Sequence, residues 1–156
     1  VTGVAASIND AKLTLTGIKD KPGVAADILG ELADNGINVD MIVQNISGDR
    51  KTTDLTFTVP KDEFTKAKSL MENLSSNLSY KDLIVDSNIA KISIVGVGMR
   101  SNAGVASQMF RILSQNNINI DVISTSEIKI SVLINKELTE KALNTLHDHF
   151  ELGKAT

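Results

Sequence analysis

The sequence predicts an α+β fold made of two tandem βαββαβ units, and three observations carry that expectation. A twenty-residue stretch is written twice: GVAADILGELADNGINVDMI at 23–42 stands over GVASQMFRILSQNNINIDVI at 104–123, with nine of 20 positions identical. Within the copies, Val24, Ile28 and Leu32 fall over Val105, Met109 and Leu113, the i, i+4, i+8 spacing of a helix with one buried stripe. The flanks repeat as well, KLTLTGI (12–18) over KISIVGV (91–97) and LTFTVPK (55–61) over ISVLINK (130–136). Their offsets differ by a few residues, which places the length changes in turns and makes the repeat a whole structural unit.

In the first unit Leu13 and Leu15 alternate with threonines as a half-buried strand. Pro22-Gly23 opens a helix, and Asn35-Gly36 closes it with residue types that tolerate the left-handed conformation. Strands are expected near 39–46 and 53–59, the latter two joined by a hairpin around SGDRKTT (47–53). A second helix starts near Asp62 with Phe64, Ala67, Met71 and Leu74 on one face, and DLIVD (82–86) supplies a fourth strand. The second unit has strands near 90–96, 120–125 and 128–134 and a last helix carrying Leu138, Ala142, Leu146 and Phe150.

The tail after that helix, ELGKAT, is too short and polar for a fourth strand, whereas VTGVAAS at the N-terminus is strand-like. The N-terminal strand is therefore expected to complete the second unit. The units are 11–88 and 89–152, the latter completed by 1–8. With right-handed crossovers this order is the ferredoxin-like arrangement, an antiparallel sheet with both helices on one face. The uncovered face is expected to be apolar and to drive pairing of sheet edges or helix faces, within the chain and between chains.

Composition excludes several function classes. The chain has 156 residues, 42% hydrophobic and 22% charged, with a net charge of −3, the balance of a soluble globular protein. Scattered basic residues, one Tyr, four Phe and no Trp leave neither the electrostatic footprint nor the stacking platforms of a nucleic-acid binder. The absence of cysteine removes disulfides, thiolate metal sites and a thiol nucleophile. His147 and His149 are two apart on a helix and do not share a face, so no metal site is expected. With no run of roughly 20 apolar residues and no signal sequence, the expectation is a cytoplasmic chain without membrane contact. It begins at Val1, as a processed form, a subunit or a trimmed piece would.

No motif of specific catalysis stands out. VGVGMRS (95–101) offers a GxG, but Ser101 occupies the place of the third glycine of a dinucleotide fingerprint. The chain is expected to be no enzyme by itself and to use no cofactor. What it does repeat is a turn entering a helix, IKDKPGVAA (18–26) and MRSNAGVAS (99–107). First-turn amides are unpaired and carry partial positive charge, so Gly23, Val24 and Ala25 suit a carboxylate, while Asp20 suits an ammonium group. Those are the two ends of a free α-amino acid. Pro-Gly after Asp is also ordinary helix punctuation. Asn38 and Asn119 fit turn caps, and Gln44-Asn45 in the apolar strand MIVQN are expected to be buried amides in need of partners.

At DKPGVAADILGELADNGINVDMIVQN (20–45), TTDLTFTVP (52–60), KISIVGVGMRSNAGVASQMF (91–110) and NINIDVISTSEIKISVLI (117–134), the chain resembles the tandem ACT regulatory region of aspartokinase over nearly its whole length. MIVQNIS and ISTSEIKISVL are the segments specific to that enzyme. The resemblance implies two ACT units that bind threonine, lysine or both and control a catalytic domain or subunit that phosphorylates aspartate. In extent the chain is similar to the regulatory β subunit of the heteromeric form. The resemblance also implies a homodimer in which the ACT unit of one chain faces the opposite unit of the other.

Carried over on the matching motifs, Asp20, Pro22, Gly23, Val24, Ala25 and Gln44 are the expected effector positions, with Asn117, Asn119 and Ile120 as the wall supplied by the second unit of a partner. Ser47, Thr53, Thr125 and Ser126 match positions that shape inhibition. Ser101, Gly104 and Val105, with Asn45 and Ser126, make a second, pseudo-equivalent site. There Asn102-Ala103 replaces the His-Pro common in relatives, which frees the turn. Threonine is the first-choice ligand because the expected site is small; Asp40, Asp121 and Glu127 as partners for a second ammonium keep lysine open. The alternatives are a structural dimerisation module, or an ACT-type amino-acid sensor of another enzyme.

Overall fold

The computed structural model describes residues 3–19, 22–74, 80–96, 102–126 and 128–150. In chain order the elements are β1 (Gly3–Ser7), β2 (Asp10–Lys19), α1 (Val24–Asp34), β3 (Ile42–Ile46), β4 (Thr52–Pro60), α2 (Phe64–Asn73), β5 (Asp82–Asp86), β6 (Ile89–Val95), α3 (Asn102–Gln115), β7 (Val122–Thr125), β8 (Lys129–Asn135) and α4 (Thr139–His149). Single 3-10 turns at Lys61–Glu63 and Lys136–Leu138 lead into α2 and α4.

Two units result, one of residues 9–87 and one joining 1–8 to 88–156. Their sheets are antiparallel, ordered β3-β4-β2-β5 and β1-β6-β8-β7. Replacing β2, β3 and β4 by their repeats β6, β7 and β8 turns one order into the other, with β1 on the flank that β5 holds. Register shows the same substitution. β5 pairs with β2 from Asp86↔Lys12 to Asp82↔Thr16. β1 pairs with β6 from Gly3↔Val95 to Ser7↔Lys91. The N-terminal segment thus supplies the fourth strand of the second unit, and the α+β, ferredoxin-like expectation holds in both units.

Each core forms between one sheet face and two helices. Leu13, Leu15 and Ile18 of β2 and Leu55, Phe57 and Val59 of β4 meet Val24, Ile28 and Leu32 of α1 and Ala67 and Met71 of α2. In the other unit Ile92 and Ile94, with Ile130, Val132 and Ile134, meet Met109, Leu113, Ala142 and Leu146. Burying an aliphatic side chain of this size contributes about 1.5–3 kcal/mol, which makes the i, i+4, i+8 stripe the reason these helices dock.

The repeated helix ends are built alike. Gly36 (φ 73) donates its N–H to Ala33 O at 3.0 Å and Ile37 donates to Leu32 O at 3.0 Å. Asn117 (φ 59) donates to Ser114 O at 3.1 Å and Ile118 to Leu113 O at 2.9 Å. Both are Schellman closures, each with the following isoleucine buried.

Three expectations need correction. β3 begins at Ile42, not 39, because Asp40 and Met41 bond to Thr58 through its carbonyl (3.0 Å) and its hydroxyl (2.9 Å) instead of forming a regular ladder. β7 likewise begins at Val122, not 120. The uncovered face of the first sheet is not mainly apolar at its centre: Thr14 and Thr56 share a hydroxyl hydrogen bond of 3.0 Å there. Exposed isoleucines sit on edge strands instead, Ile42 and Ile46 on β3, Ile84 on β5 and Ile123 on β7.

Candidate functional site

A bulge in β2 prepares the ground for α1. Leu15 pairs with Leu55 and Ile18 with Thr53, so Thr16 and Gly17 together stand opposite Asp54. An extra residue of this kind bends the strand and re-aims the side chains beyond it. Gly17 takes φ 67, a left-handed value natural to glycine, and Ile18 is carried to 1% exposure. Past the strand end, Gly23 (φ 91, ψ −13) turns the chain into α1 without a side-chain cap. Asp27 is the first to bond back, to Gly23 O at 2.9 Å, which leaves the Val24, Ala25 and Ala26 amides without intrahelical acceptors.

These pieces enclose an open crevice of about 490 Å³, within the roughly 300–1,000 Å³ of small-molecule clefts. Ile18, Ile28 and Leu55 give it an apolar floor. Pro22, Gly23, Val24, Ala25 and Ala26 form the helix side, Gln44 and Thr53 the sheet side, and Lys19 adds a cation. Gln44 reaches it because it pairs with Leu55 across β3 and β4. Thr53 is 4% exposed and its hydroxyl donates to Asn45 O at 3.2 Å. Such a lining can receive a carboxylate on the amides and offer amide and hydroxyl groups to a small polar side chain.

Pro22, Gly23, Val24, Ala25 and Gln44 are therefore brought together, while Asp20 lies outside the described residues. Asn117, Asn119 and Ile120 line a separate crevice of about 380 Å³ with Phe110, Ser114 and Ile118 in the second unit. Of the pseudo-equivalent site, Ser101 is outside the described residues, Gly104 is exposed in the first turn of α3, and Val105 packs on the core. Ser126 closes the β7–β8 turn, its N–H donating to Lys129 O at 2.8 Å, and Thr125 is exposed on the edge. Ser47 closes the β3–β4 hairpin, donating its hydroxyl to Asp49 Oδ1 at 2.7 Å.

The burial expected of Gln44 and Asn45 is overturned: both are exposed, because β3 is a five-residue strand at the edge of its sheet. Asp40 and Asp121 do not line either crevice, and Glu127 is outside the described residues. Sequence reasoning missed Lys19 and the bulge. The signal was Gly17, which breaks the alternation of LTLTGI.

Among the described residues no helix is long and apolar enough to cross a membrane, and no group of three or more His, Asp or Glu could hold a metal. Residues 13–76 and 92–150 each match the ACT domain family. The aspartate kinase of Pseudomonas putida is 51% identical over 152 residues, 97% of this chain and 37% of that protein. A chain in the crystal structure of aspartokinase alpha and beta subunits is 45% identical with a TM-score of 0.90, covering 97% of this chain and 99% of that one.

The chain belongs to the aspartokinase family. Within that family it is also similar to the regulatory subunit of aspartate kinase from Thermus thermophilus in its ligand-free form, 41% identical with a TM-score of 0.87 over 96% of this chain and 99% of that one. It is the tandem ACT region of an aspartokinase, spanning 37% of the length of the Pseudomonas relative, and the catalytic domain is not in this chain.

Proposed function

We propose that this ACT region is the feedback sensor of an aspartokinase, binding threonine, with lysine as the second candidate, and controlling aspartate phosphorylation by a separate catalytic domain or subunit. The α1 crevice carries the reading. It offers three amides without intrahelical acceptors, Gln44, the Thr53 hydroxyl and an apolar floor within about 490 Å³. The α-carboxylate sits on the amides of Val24, Ala25 and Ala26, where the partial positive charge of the helix end favours it by about 0.3–1 kcal/mol. The ammonium group goes to Asp20. Threonine is favoured because no carboxylate lines the crevice among the described residues and Lys19 would repel a second ammonium.

In this reading two chains form a homodimer, and Asn117, Asn119 and Ile120 of one close the α1 crevice of the other. A ligand held across that seam favours the arrangement it fits, and shifts the coupled kinase only by its differential affinity for two states. Titration calorimetry on the chain tests the reading: threonine is expected to bind, and Asp20→Ala to bind it more weakly while still folded. No heat with either amino acid at millimolar concentration would remove the sensing role. Equilibrium ultracentrifugation with and without threonine separates a sensor from a structural dimerisation module, whose association would ignore the ligand.

A further inference from the structure

Asp54 has no place in the crevice lining, yet its side chain is hydrogen-bonded to the β2 bulge. Its Oδ1 accepts the Gly17 N–H at 3.0 Å, a donor that the bulge takes out of the regular ladder. On the opposite flank Thr16 is held by β5: Lys81 donates its N–H to Thr16 O at 2.7 Å, and Asp82 N–H lies 3.2 Å from Thr16 Oγ1. A Cβ at Gly17 would stand 2.8 Å from Lys81 Cβ, so backbone conformation and space both require glycine there. Immediately beyond the bulge come Ile18 and Lys19, which line the crevice, and immediately before Asp54 comes Thr53, which lines it from the other strand.

The repeat provides an internal comparison. Gly96 is the counterpart of Gly17 and Lys129 the counterpart of Asp54. Lysine has no acceptor to offer, and Gly96 instead donates its N–H to Ile128 O at 2.9 Å. Among the described residues the carboxylate-held bulge thus occurs in the unit that carries the α1 crevice.

We propose that Asp54 is a positioning residue for effector binding: by holding the Gly17 amide it sets the bulge that presents Ile18, Lys19 and Thr53 to the ligand. The inference rests on the α1 crevice being the effector site. The test uses Asp54→Ala, Asp54→Asn and Tyr80→Phe. The last removes a hydroxyl that donates to Met71 O at 2.7 Å in the same unit, outside the crevice lining, and serves as the control for general destabilisation.

Asp54→Ala is expected to weaken threonine binding by up to about tenfold, the loss reached when the whole strength of the charge-assisted hydrogen bond goes into setting the crevice, with faster exchange of the Gly17 amide and a shifted Ile18 methyl resonance. Asp54→Asn, whose carbonyl oxygen still accepts, recovers most of the affinity; Tyr80→Phe lowers the melting temperature without changing affinity. Wild-type affinity in Asp54→Ala, or equal weakening in Tyr80→Phe, overturns the role. A wild-type chain that binds no amino acid sinks the effector reading instead, and an unchanged Gly17 amide and Ile18 methyl in Asp54→Ala then also removes the positioning role.

Discussion

In the proposed effector site, Lys19 is the side chain whose charge would set the ligand preference. It is the only charged side chain among the described residues lining the α1 crevice, and it is exposed, so its effect is modest and screened by salt. Lys19→Glu is expected to weaken threonine binding about two- to fivefold at low salt and to improve lysine relative to threonine, read by calorimetry. Asp49 shows a second residue-scale effect. The Ser47 hydroxyl (2.7 Å) and then the Lys51 N–H (3.0 Å) hold its carboxyl below the usual carboxylate range. A depressed carboxylate stabilises the hairpin above its unfolded-chain pKa, and that contribution is lost as pH falls through the lowered folded value. In an NMR titration Asp49 should therefore titrate below an ordinary aspartate, and Ser47→Ala should move it upward.

At the scale of elements, the repeated Schellman closure makes Asn117 a residue with two claims on it. At φ 59 it does what Gly36 does in the first unit, and it also lines the second crevice. Substitution separates the two. Asn117→Gly keeps the left-handed backbone and should leave the melting temperature nearly unchanged, while Asn117→Val should destabilise by about 1–2 kcal/mol. If the amide contacts effector across the seam, threonine affinity falls in Asn117→Gly too. Unchanged affinity in that variant would return Asn117 to a purely conformational role. The helix stripes were legible from Val24, Ile28 and Leu32 because helical period and burial coincide there. The starts of β3 and β7 were not, because the Asp40 and Met41 bonds to Thr58 and the Asp121 bond to Leu133 are made across the sheet and leave no local trace.

For the whole molecule, the chain order predicts unequal dependence on its termini. Residues 9–87 carry all four strands of their sheet, so that fragment should fold cooperatively when expressed alone, as circular dichroism on heating would show. Removing residues 1–8 should leave that unit intact while exposing the β6 edge and lowering the melting temperature of the second unit, with faster amide exchange across Ile89–Val95. Equal stability of both units after the deletion would contradict the pairing of Gly3–Ser7 with β6.

By itself the sequence determined the duplicated unit, its helices and the vacancy that β1 fills, because apolar periodicity and strand alternation are written in neighbouring residues. The mouth of α1 was legible from Pro22-Gly23 for the same reason: a helix start is local punctuation. The family resemblance named Gln44 and Thr53, but only the tertiary structure decided how strand pairing brings them to that mouth, that Gln44 and Asn45 are exposed, and that Asp54 answers the Gly17 amide. Those facts depend on strand register and edge position, which arise when distant segments pair and cannot be read from either segment alone.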